Sequence, residues 1–289
     1  MFVMLLTVFD PWKSQLCTCP NKLTFNPYTG CDHGCLYCYA SSYIPRFHDC
    51  RPKKNLLTRL KREATRLNGE LVSISNSSDP YPRLEQEVGL TRKCLEILAK
   101  SCCRLQIVTK SDLLIRDIDI LKNVPCAVSV TVLTTDDGLS GKLEPGAPVS
   151  SRRLKAIETL VKKGIPTTVR IDPIIPFVND DLAGLVETVT DLGILQVTCS
   201  TYKVKPDNWR RFSAEFPEVA EKLRPLYFGE GERIGHSLYL PRNLRFGLME
   251  KTKELVEEYN LKFGCCREGF CLNSAVCDGS WAIQKHMKK

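Results

Sequence analysis

Short β-rich runs alternate with amphipathic helical patterns along most of this chain, and that alternation constrains the fold more than any other feature. The runs are rich in Val, Ile, Leu and Thr, whereas the segments between them repeat apolar residues at i, i+3 or i+4. Parallel neighbouring strands need a long crossover connection of this kind, usually a helix. The predicted strands are 71–74, 105–109, 127–132, 167–171 and 195–198, with a sixth before Cys31.

Six strands separated by helices predict an α/β fold with a parallel sheet, namely a partial (β/α)6 TIM-like barrel with a Cys-containing C-terminal extension. We divide the chain into an N-terminal arm at 1–20, a barrel core at 21–202 and the extension at 203–289. Functional residues of such barrels collect at the C-terminal ends of the strands. The predicted helices are 55–67, 84–99, 113–122, 151–163 and 180–192.

Three cysteines lie in one short run after the first predicted strand: Cys31, Cys35 and Cys38. A 4Fe-4S cluster normally takes four thiolates, so three would leave one iron free to bind a substrate or cofactor. The alternative is a structural zinc site with His33 or a distant cysteine as the fourth ligand. The spacing is not usual for a zinc knuckle, and the aromatic ring of Tyr37 has no role in a zinc site. The run therefore favours an iron-sulfur cluster.

The pattern Cys-x3-Cys-x-aromatic-Cys, with Tyr37 as the aromatic residue, resembles the signature of the radical S-adenosylmethionine enzymes. The resemblance implies a partial barrel, a 4Fe-4S cluster on the three cysteines, and S-adenosylmethionine on the open iron with Tyr37 near its adenine. It further implies reductive cleavage of that cofactor to a 5'-deoxyadenosyl radical, which abstracts hydrogen from a substrate. Such an enzyme takes its electron from a donor such as ferredoxin or flavodoxin.

Other runs resemble the spore photoproduct lyase-like branch, often labelled DNA repair photolyase. They are Asn26-Pro27-Tyr28-x-Gly30-Cys31, Val108-Thr109-Lys110, Glu144-Pro145-Gly146 and Arg170-Ile171-Asp172-Pro173. By this resemblance Ser78, Lys110 and Ser129 correspond to positions that contact the cofactor. Arg170 lies near the end of the fifth predicted strand, where it could help these residues hold the ribose and carboxylate of S-adenosylmethionine.

One position departs from that branch. The lyase carries a hydrogen-donating cysteine just before the serines of the loop that follows the second strand, and here the position is Asn76. An amide cannot donate a hydrogen atom to a carbon radical, which argues against photoproduct repair. Cys199, at the end of the sixth predicted strand, is a candidate replacement, although a free cysteine is more often a small buried hydrophobe.

A second group of cysteines lies near the C-terminus. Four cysteines within thirteen residues seldom arise from core packing. They could bind an auxiliary iron-sulfur cluster or a structural zinc ion, with Cys17 and Cys19 as extra ligands, or they could bind no metal. The group consists of Cys265, Cys266, Cys271 and Cys277.

The net charge and the position of the basic residues indicate which substrates the chain could bind. The net charge is +8, and much of the excess lies between Arg51 and Arg66, beside the cysteine run. A basic helix there could follow a phosphate backbone, although it could equally be a solvated face. A second group follows the sixth predicted strand, where its rings could stack an unpaired base. This group consists of Lys203, Lys205, Trp209, Arg210, Arg211 and Phe212.

Two classes of function therefore remain open. The first is a radical S-adenosylmethionine enzyme acting on a base of DNA or RNA, or alternatively on a peptide or a small metabolite. The second is a zinc-stabilised nucleic-acid-binding module without redox chemistry. Iron content and visible absorption distinguish the two classes.

The number of cysteines and the length of the apolar runs indicate the cellular compartment in which the protein is expected. The chain has fifteen cysteines, an odd number, and its apolar start lacks the basic leader and cleavage site of a secretory signal. No run approaches the roughly 20 apolar residues that span a bilayer. We expect a cytoplasmic protein that is not in a membrane.

Overall fold

The structure is a computed structural model that describes residues 4–10, 15–75 and 77–283. The prediction that concerns Asn76 and parts of the predicted N-terminal arm lie outside these residues. Within the described part of the chain, no helix is both long enough and apolar enough to cross a bilayer.

An eight-stranded sheet in the order β1-β2-β5-β6-β7-β8-β9-β12 organises the chain. All neighbouring pairs in it are parallel except β1 with β2. Two small antiparallel pairs, β3 with β4 and β10 with β11, lie outside it. The strands are β1 Thr7–Val8, β2 Leu23–Phe25, β3 Tyr28–Thr29, β4 Arg51–Pro52, β5 Asn68–Ile74, β6 Cys102–Thr109, β7 Cys126–Thr131, β8 Thr167–Ile174, β9 Gln196–Thr201, β10 Glu232–Ile234, β11 Ser237–Tyr239 and β12 Lys262–Cys265.

The predicted partial barrel is confirmed. The six predicted strands correspond to β2 and to β5 through β9, which are consecutive in the sheet. The extension adds β12, which pairs in parallel with β9, and this seventh parallel strand was not predicted. No pairing joins β2 to β12 within the described residues, so the barrel is open between them.

The predicted helices are present with shifted ends. Gly89 has a φ of 60°, a left-handed conformation that favours glycine, and it divides the predicted helix 84–99 in two. The predicted helix 113–122 is mostly a 3-10 segment, Asp112–Asp117. The helices are α1 Leu56–Ala64, α2 Glu85–Val88, α3 Leu90–Leu98, α4 Ile118–Leu121, α5 Asp137–Leu143, α6 Ser150–Lys162, α7 Ala183–Asp191, α8 Pro206–Glu215, α9 Pro217–Arg224 and α10 Arg242–Glu258.

The strands are apolar on the face towards the helices and polar on the face towards the barrel interior. In β6, Leu105 and Ile107 belong to the main hydrophobic core, whereas Gln106 between them makes polar contacts inside the barrel. Side chains alternate between the two faces of a strand, so a polar residue at every second position lines the interior. This polar interior needs partners for its hydrogen-bonding groups.

The C-terminal residues 276–283, which we call the plug, supply several of those partners. Ala282 and Ile283 pack against Leu71 and Ala127 near the N-terminal ends of the strands. Deeper in the barrel, Thr198 Oγ1 donates to the Cys277 carbonyl at 2.8 Å. The plug therefore fills the end of the barrel opposite the strand C-termini.

A buried ion pair anchors the plug. Lys22 Nζ lies 2.7 Å from Asp278 Oδ2, and the side chains are only 2% and 4% exposed. Lys22 also donates to Gln106 Oε1 at 3.1 Å. The pair connects the residue before β2 to the extension through the barrel interior.

Asp278→Asn should destabilise the fold by about 3 kcal/mol, because it leaves the Lys22 ammonium buried without a compensating charge. Urea denaturation at neutral pH measures the change. The matched control is Glu158→Gln, which removes an exposed i,i+4 partner of Lys162 and should leave the unfolding free energy nearly unchanged. An equal effect of the two substitutions would show that the buried pair does not anchor the plug.

Candidate active site

The cysteine run forms a tight loop at the C-terminal edge of the sheet, following β2 and β3. Cys31 N donates to the Phe47 carbonyl at 2.7 Å. Gly30 has a φ of 81°, and a Cβ on it would meet the same carbonyl oxygen at 2.3 Å. Only glycine fits there, so the loop is closely packed immediately before its first cysteine.

Three thiols of this loop are available to a metal cluster. Cys31 and Cys35 are buried, and Cys38 is half-buried. The sulfurs of Cys31, Cys35 and Cys38 do not all lie within 4.8 Å of one another. In the described part of the chain, the ligand atoms of Cys31, Asp32 and His33 do lie within that distance. One tetrahedral zinc ion would hold its sulfurs closer than this, whereas a 4Fe-4S cluster binds each thiolate to a different iron. The donor set therefore fits a three-thiolate cluster.

The other two groups in that tight set, Asp32 and His33, differ in their contacts. The Asp32 carboxylate accepts from Arg83 N at 3.0 Å. The buried His33 places Nδ1 3.6 Å from Asp79 Oδ2, and burial lowers the pKa of the imidazole. The Asp32 carboxylate therefore holds the loop against Arg83, whereas His33 Nδ1 is buried without a hydrogen-bond partner among the described residues.

A buried carboxylate, Glu144, organises the inner side of the loop. Tyr37 OH donates to Glu144 Oε1, and Arg153 forms an ion pair with Glu144 Oε2. Lys110 Nζ lies 3.9 Å from the same carboxylate and 5.7 Å from the Tyr37 ring centre. The aromatic residue of the cysteine motif is thus fixed by a carboxylate that two cations neutralise.

The charges in this network oppose the effect of burial on each group. Burial alone would raise the pKa of Glu144, but Arg153 and Lys110 lower it overall. Burial would lower the pKa of Lys110, but the Cys35 and Glu144 charges raise it overall. Burial raises the pKa of Cys35 to about 12, and the positive charge of a bound metal would favour the thiolate that ligation needs.

Asp79 connects the loop after β5 with the end of β6. Its carboxylate accepts from Thr109 Oγ1 at 2.7 Å and from Lys110 N at 2.7 Å. Ser78, beside it, donates to the Tyr28 carbonyl at 3.4 Å. The structure therefore places the predicted cofactor residues Ser78 and Lys110 in one hydrogen-bonded region beside the cysteine loop.

Helix α8 of the extension holds the cysteine loop from the other side. Asn208 Nδ2 donates to the Tyr37 carbonyl at 3.1 Å, and Arg211 donates to the Cys38 carbonyl at 3.3 Å. Arg211 also pairs with Asp207 at 2.6 Å, and Asp207 accepts from Ser41 Oγ at 2.8 Å. The backbone of the motif is therefore positioned by residues far from it in sequence.

Arg170 and Ser129 lie on the neighbouring strands β8 and β7. Arg170 Nη2 lies 2.6 Å from Asp172 Oδ2, and its side chain also contacts Cys266. Burial would raise the pKa of Asp172, but the charges of Arg170 and Lys203 lower it overall. Ser129 Oγ accepts from Thr168 Oγ1 at 3.0 Å and is almost fully buried. Arg170 and Ser129 therefore already have protein partners.

A second buried carboxylate, Glu268, lies where β9 ends. It accepts from Thr201 N at 2.7 Å, and Lys203 Nζ lies 3.0 Å from it. Arg245, from α10, lies 3.1 Å from its other oxygen. Lys203, assigned from sequence to a basic surface group, is instead part of a buried charge network.

The predicted stacking rings of the extension are not available to a base. Trp209 is 8% exposed and Phe212 is fully buried, both in a second core that also contains Cys35 and Tyr37. The interpretation that these rings stack an unpaired base is wrong, because they pack α8 against the cysteine loop. Tyr39 and Tyr43 are exposed instead, and their rings stack with centres 6.3 Å apart.

Cys199 lies in the main hydrophobic core and has no exposed surface. Its neighbours in β9, Thr198 and Ser200, make their contacts inside the barrel, so the alternation of β9 directs Cys199 towards the helices. The structure does not bring this thiol to the barrel mouth, and its hydrogen-donor role stays a prediction without support from its position.

The four C-terminal cysteines are not gathered at one point. Cys271 is exposed and Cys265 is buried in β12. Cys266 contacts Arg170, and Cys277 Sγ lies 3.9 Å from Cys19 Sγ. That these four residues hold an auxiliary cluster together stays a prediction.

Sequence reasoning gave no role to Glu144, Asp79, Glu268 or Asn208. Glu144 stands in a quoted motif run, and Asp79 follows Ser78 directly, so proximity to motifs was the available signal. Burial of a carboxylate against a distant arginine cannot be read from a single sequence. Glu144, Asp79 and Asn208 contact Tyr37 or Lys110, whereas Glu268 holds Thr201 and Lys203, and these contacts are visible only in the structure.

The chain is similar to known proteins in sequence and in fold. Residues 25–189 match the Radical SAM superfamily. An uncharacterised protein of Mycobacterium tuberculosis is 29% identical over 265 residues, covering 84% of this chain and 76% of that protein. An uncharacterised protein of Methanocaldococcus jannaschii is 32% identical over 166 residues, covering 55% of this chain and 62% of that protein.

A spore photoproduct lyase variant solved with S-adenosylmethionine and dinucleoside spore photoproduct has a similar fold. The TM-score is 0.64 at 16% identity, and the match covers 88% of this chain and 77% of the lyase chain. At this identity the likeness concerns the fold.

Glu144→Gln should destabilise the fold by about 3 kcal/mol, because the buried Arg153 and the half-buried Lys110 are left beside a neutral amide. The carboxylate has a folded-state pKa below its ordinary value of 4.5, so its stabilising effect is fully present above that value and is lost as pH falls from it through the lower folded-state pKa. Urea denaturation from pH 7 to well below pH 4.5 should therefore show a difference from wild type that shrinks at the acid end. Glu187→Gln, on the exposed surface of α7, should show no such difference, and an unchanged unfolding free energy for Glu144→Gln would contradict the assignment.

Proposed function

The chain belongs to the radical S-adenosylmethionine superfamily, and we propose that it uses the chemistry of this family to abstract hydrogen from a base of DNA or RNA. One observation carries the cofactor part of the proposal: three thiols of one loop lie at the C-terminal edge of the parallel sheet, within the residues that match the superfamily. Cys31, Cys35 and Cys38 would bind the 4Fe-4S cluster.

When bound, the cluster supplies the electron that cleaves S-adenosylmethionine to a 5'-deoxyadenosyl radical. The chain supplies orientation and exclusion of water. Glu144 fixes the Tyr37 ring from inside the barrel, and Asn208 fixes the Tyr37 carbonyl from the extension. Lys110, Ser78, Ser129 and Arg170 are the residues we assign to the ribose and carboxylate of S-adenosylmethionine.

The cations assigned to the cofactor are already paired with buried acids. Lys110 faces Glu144, and Arg170 faces Asp172. A carboxylate of the cofactor would share each cation with its protein acid. Pairing holds the cation in one rotamer beforehand, which lowers the entropy that cofactor binding must offset.

Exposed rings beside the cluster loop support a nucleobase as the substrate. Tyr39 follows Cys38 directly, is 38% exposed and lies within electrostatic range of Asp172 and Arg267. Tyr43, 56% exposed, stacks beside it. Aromatic rings at the edge of a basic groove bind single-stranded nucleic acid through base stacking.

Basic residues near this edge could contact the phosphates. The segment before α1 lies beside the loop, where Lys53 N donates to the Pro27 carbonyl at 3.2 Å. Lys54, Lys61 and Arg62 continue this basic surface along α1 and are exposed. The net charge of +8 agrees with a polyanionic substrate.

The solved lyase of similar fold was crystallised with a dinucleoside photoproduct, which supports a nucleobase as the substrate class here. The departure at Asn76 argues that the reaction differs from that of the lyase. We further propose ferredoxin or flavodoxin as the electron donor, and the division at 1–20, 21–202 and 203–289 as the domain organisation. The similarity in fold does not by itself establish the substrate class, the electron donor or the domain boundaries.

Replacement of Cys31, Cys35 or Cys38 by Ala should reduce 5'-deoxyadenosine formation to background, because a cluster ligand is lost. The measurement is chromatography of the product after anaerobic reconstitution with iron and sulfide and reduction in the presence of S-adenosylmethionine. Cys102→Ala removes an exposed thiol at the start of β6 and should retain normal cleavage. Zinc in place of iron, or normal cleavage by any of the three loop variants, would refute the proposal.

Tyr39→Ala and Tyr43→Ala should each weaken binding of a single-stranded oligonucleotide about tenfold, because a base stacked on an aromatic ring contributes about 1–3 kcal/mol. Fluorescence anisotropy at several salt concentrations measures the affinity and its salt dependence. Phe246→Ala is the matched control, since Phe246 on α10 is as exposed as Tyr39, at 38%.

The substrate proposal can be refuted without refuting the cofactor proposal. If oligonucleotides do not bind, or bind without salt dependence, the substrate is a peptide or a small metabolite. Formation of 5'-deoxyadenosine would stand unaffected by that result.

A further inference from the structure

Two cysteines from opposite ends of the chain contact each other through their sulfur atoms. Cys19 lies in the segment before β2, and Cys277 lies in the plug, after β12. Their sulfurs are 3.9 Å apart, and Thr18 Oγ1 donates to Cys277 Sγ at 3.5 Å. The contact therefore connects the segments that precede β2 and follow β12, and the proposed chemistry does not use it.

A buried ion pair holds the backbone on both sides of this contact. Lys22 lies three residues after Cys19, and Asp278 follows Cys277 directly. Their charged atoms lie 2.7 Å apart with almost no exposure to solvent. The Cys277 carbonyl also accepts from Thr198 Oγ1 at 2.8 Å. The two thiols face each other because these contacts place them there, so their separation does not depend on the weak hydrogen bond between the sulfurs.

The distance between the sulfurs suits a reaction of two thiols. A disulfide bond is about 2.05 Å long, so the sulfurs must approach by about 2 Å from their separation of 3.9 Å. Rotation about χ1 moves a cysteine sulfur without moving the backbone.

Binding of a metal fits this contact less well. The sulfurs of Cys17, Cys19 and Cys277 do not all lie within 4.8 Å of one another, as a single ion would require. A 4Fe-4S cluster would hold the Cys19 and Cys277 sulfurs farther apart than they are, since each thiolate binds a different iron. The geometry therefore favours oxidation of the pair over ligation of a metal.

The two thiols differ in exposure in the way that a stepwise oxidation needs. Cys19 is half-buried, whereas Cys277 is 2% exposed, so a small-molecule oxidant reaches the Cys19 sulfur first. Thr18 and Cys19 can both donate hydrogen bonds to the Cys277 sulfur. Such bonds favour the thiolate, which is the nucleophile in thiol–disulfide exchange. Cys277 is thus placed to attack Cys19 once Cys19 has reacted.

We propose that Cys19 and Cys277 form a reversible redox pair, which a low-molecular-weight disulfide such as glutathione disulfide converts to an intramolecular disulfide. The bond ties the segment before β2 to the plug, and thiol reductants reverse it. The auxiliary metal site expected from sequence would then lack Cys277 as a ligand. The proposal does not depend on the catalytic assignment, so either can be refuted alone.

The reaction conserves atoms and electrons. The Cys19 sulfur loses its proton to water and attacks glutathione disulfide, whose S–S bond breaks and releases one glutathione. The Cys277 sulfur, after loss of its own proton to water, attacks the Cys19 sulfur and displaces the second glutathione. Two protein thiols are thereby oxidised to one disulfide, and one glutathione disulfide is reduced to two glutathione molecules.

Peptide mapping of the whole chain tests the proposal. Reconstituted protein is equilibrated anaerobically with mixtures of glutathione and glutathione disulfide and quenched in acid, and its free thiols are alkylated. Wild type should yield a peptide pair linked through Cys19 and Cys277, in an amount that falls as the share of glutathione rises. Cys19→Ser and Cys277→Ser should each lose this link. Cys17→Ser should retain it, as should Cys102→Ser and Cys271→Ser, which alter exposed thiols.

Unfolding in urea gives a second readout. A disulfide that closes a long loop constrains the unfolded chain, so oxidised wild type should unfold at a higher urea concentration than reduced wild type. Cys19→Ser should unfold at the same urea concentration under both conditions. Circular dichroism shows that each variant is folded before the comparison.

Absence of the Cys19–Cys277 link at every glutathione ratio in folded wild type would overturn the proposal. So would a Cys17–Cys19 disulfide in its place, a link between Cys271 and Cys277, or a link that forms only after unfolding. Loss of bound iron or zinc in Cys277→Ser would also overturn it, because that thiol would then be a metal ligand.

Discussion

The buried ion pair between Lys22 and Asp278 is the interaction on which the rest of the structure depends. An open barrel with a polar interior must satisfy its inward-facing groups, and an unpaired ammonium there would be costly. The pair brings the plug into the barrel, beside Gln106 and Thr198. The extension thereby becomes part of the barrel interior, and its strand β12 lies next to β9.

The candidate active site at the opposite end is built on a second buried charge. Glu144 is neutralised by Arg153 and Lys110 and accepts the Tyr37 hydroxyl. Side chains of helix α8 hold the same loop from outside by donating to the backbone carbonyls of the loop. A metal cluster bound at this loop would therefore sit on a rigid frame, which suits chemistry in which the cofactor reacts and the protein orients.

Sequence reasoning was most accurate where the determinants are local. The spacing of Cys31, Cys35 and Cys38 lies within one loop, and the six strands each carry their own apolar pattern. It was least accurate for side chains whose role depends on distant partners. Trp209 and Phe212 were predicted from sequence to stack a base but fill the second core, and Cys199, a candidate hydrogen donor, lies in the main core. The direction of a side chain at a strand end depends on register, which one sequence does not give.

The sequence by itself determined the parallel sheet, the three-thiol loop and the superfamily, because periodicity and motif spacing are properties of contiguous residues. Only the tertiary structure decided that Glu144 fixes Tyr37, that α8 supports the loop, and that Cys19 meets Cys277. These contacts join residues more than a hundred positions apart. Their geometry follows from how the barrel closes and what fills its interior, and no local pattern encodes that.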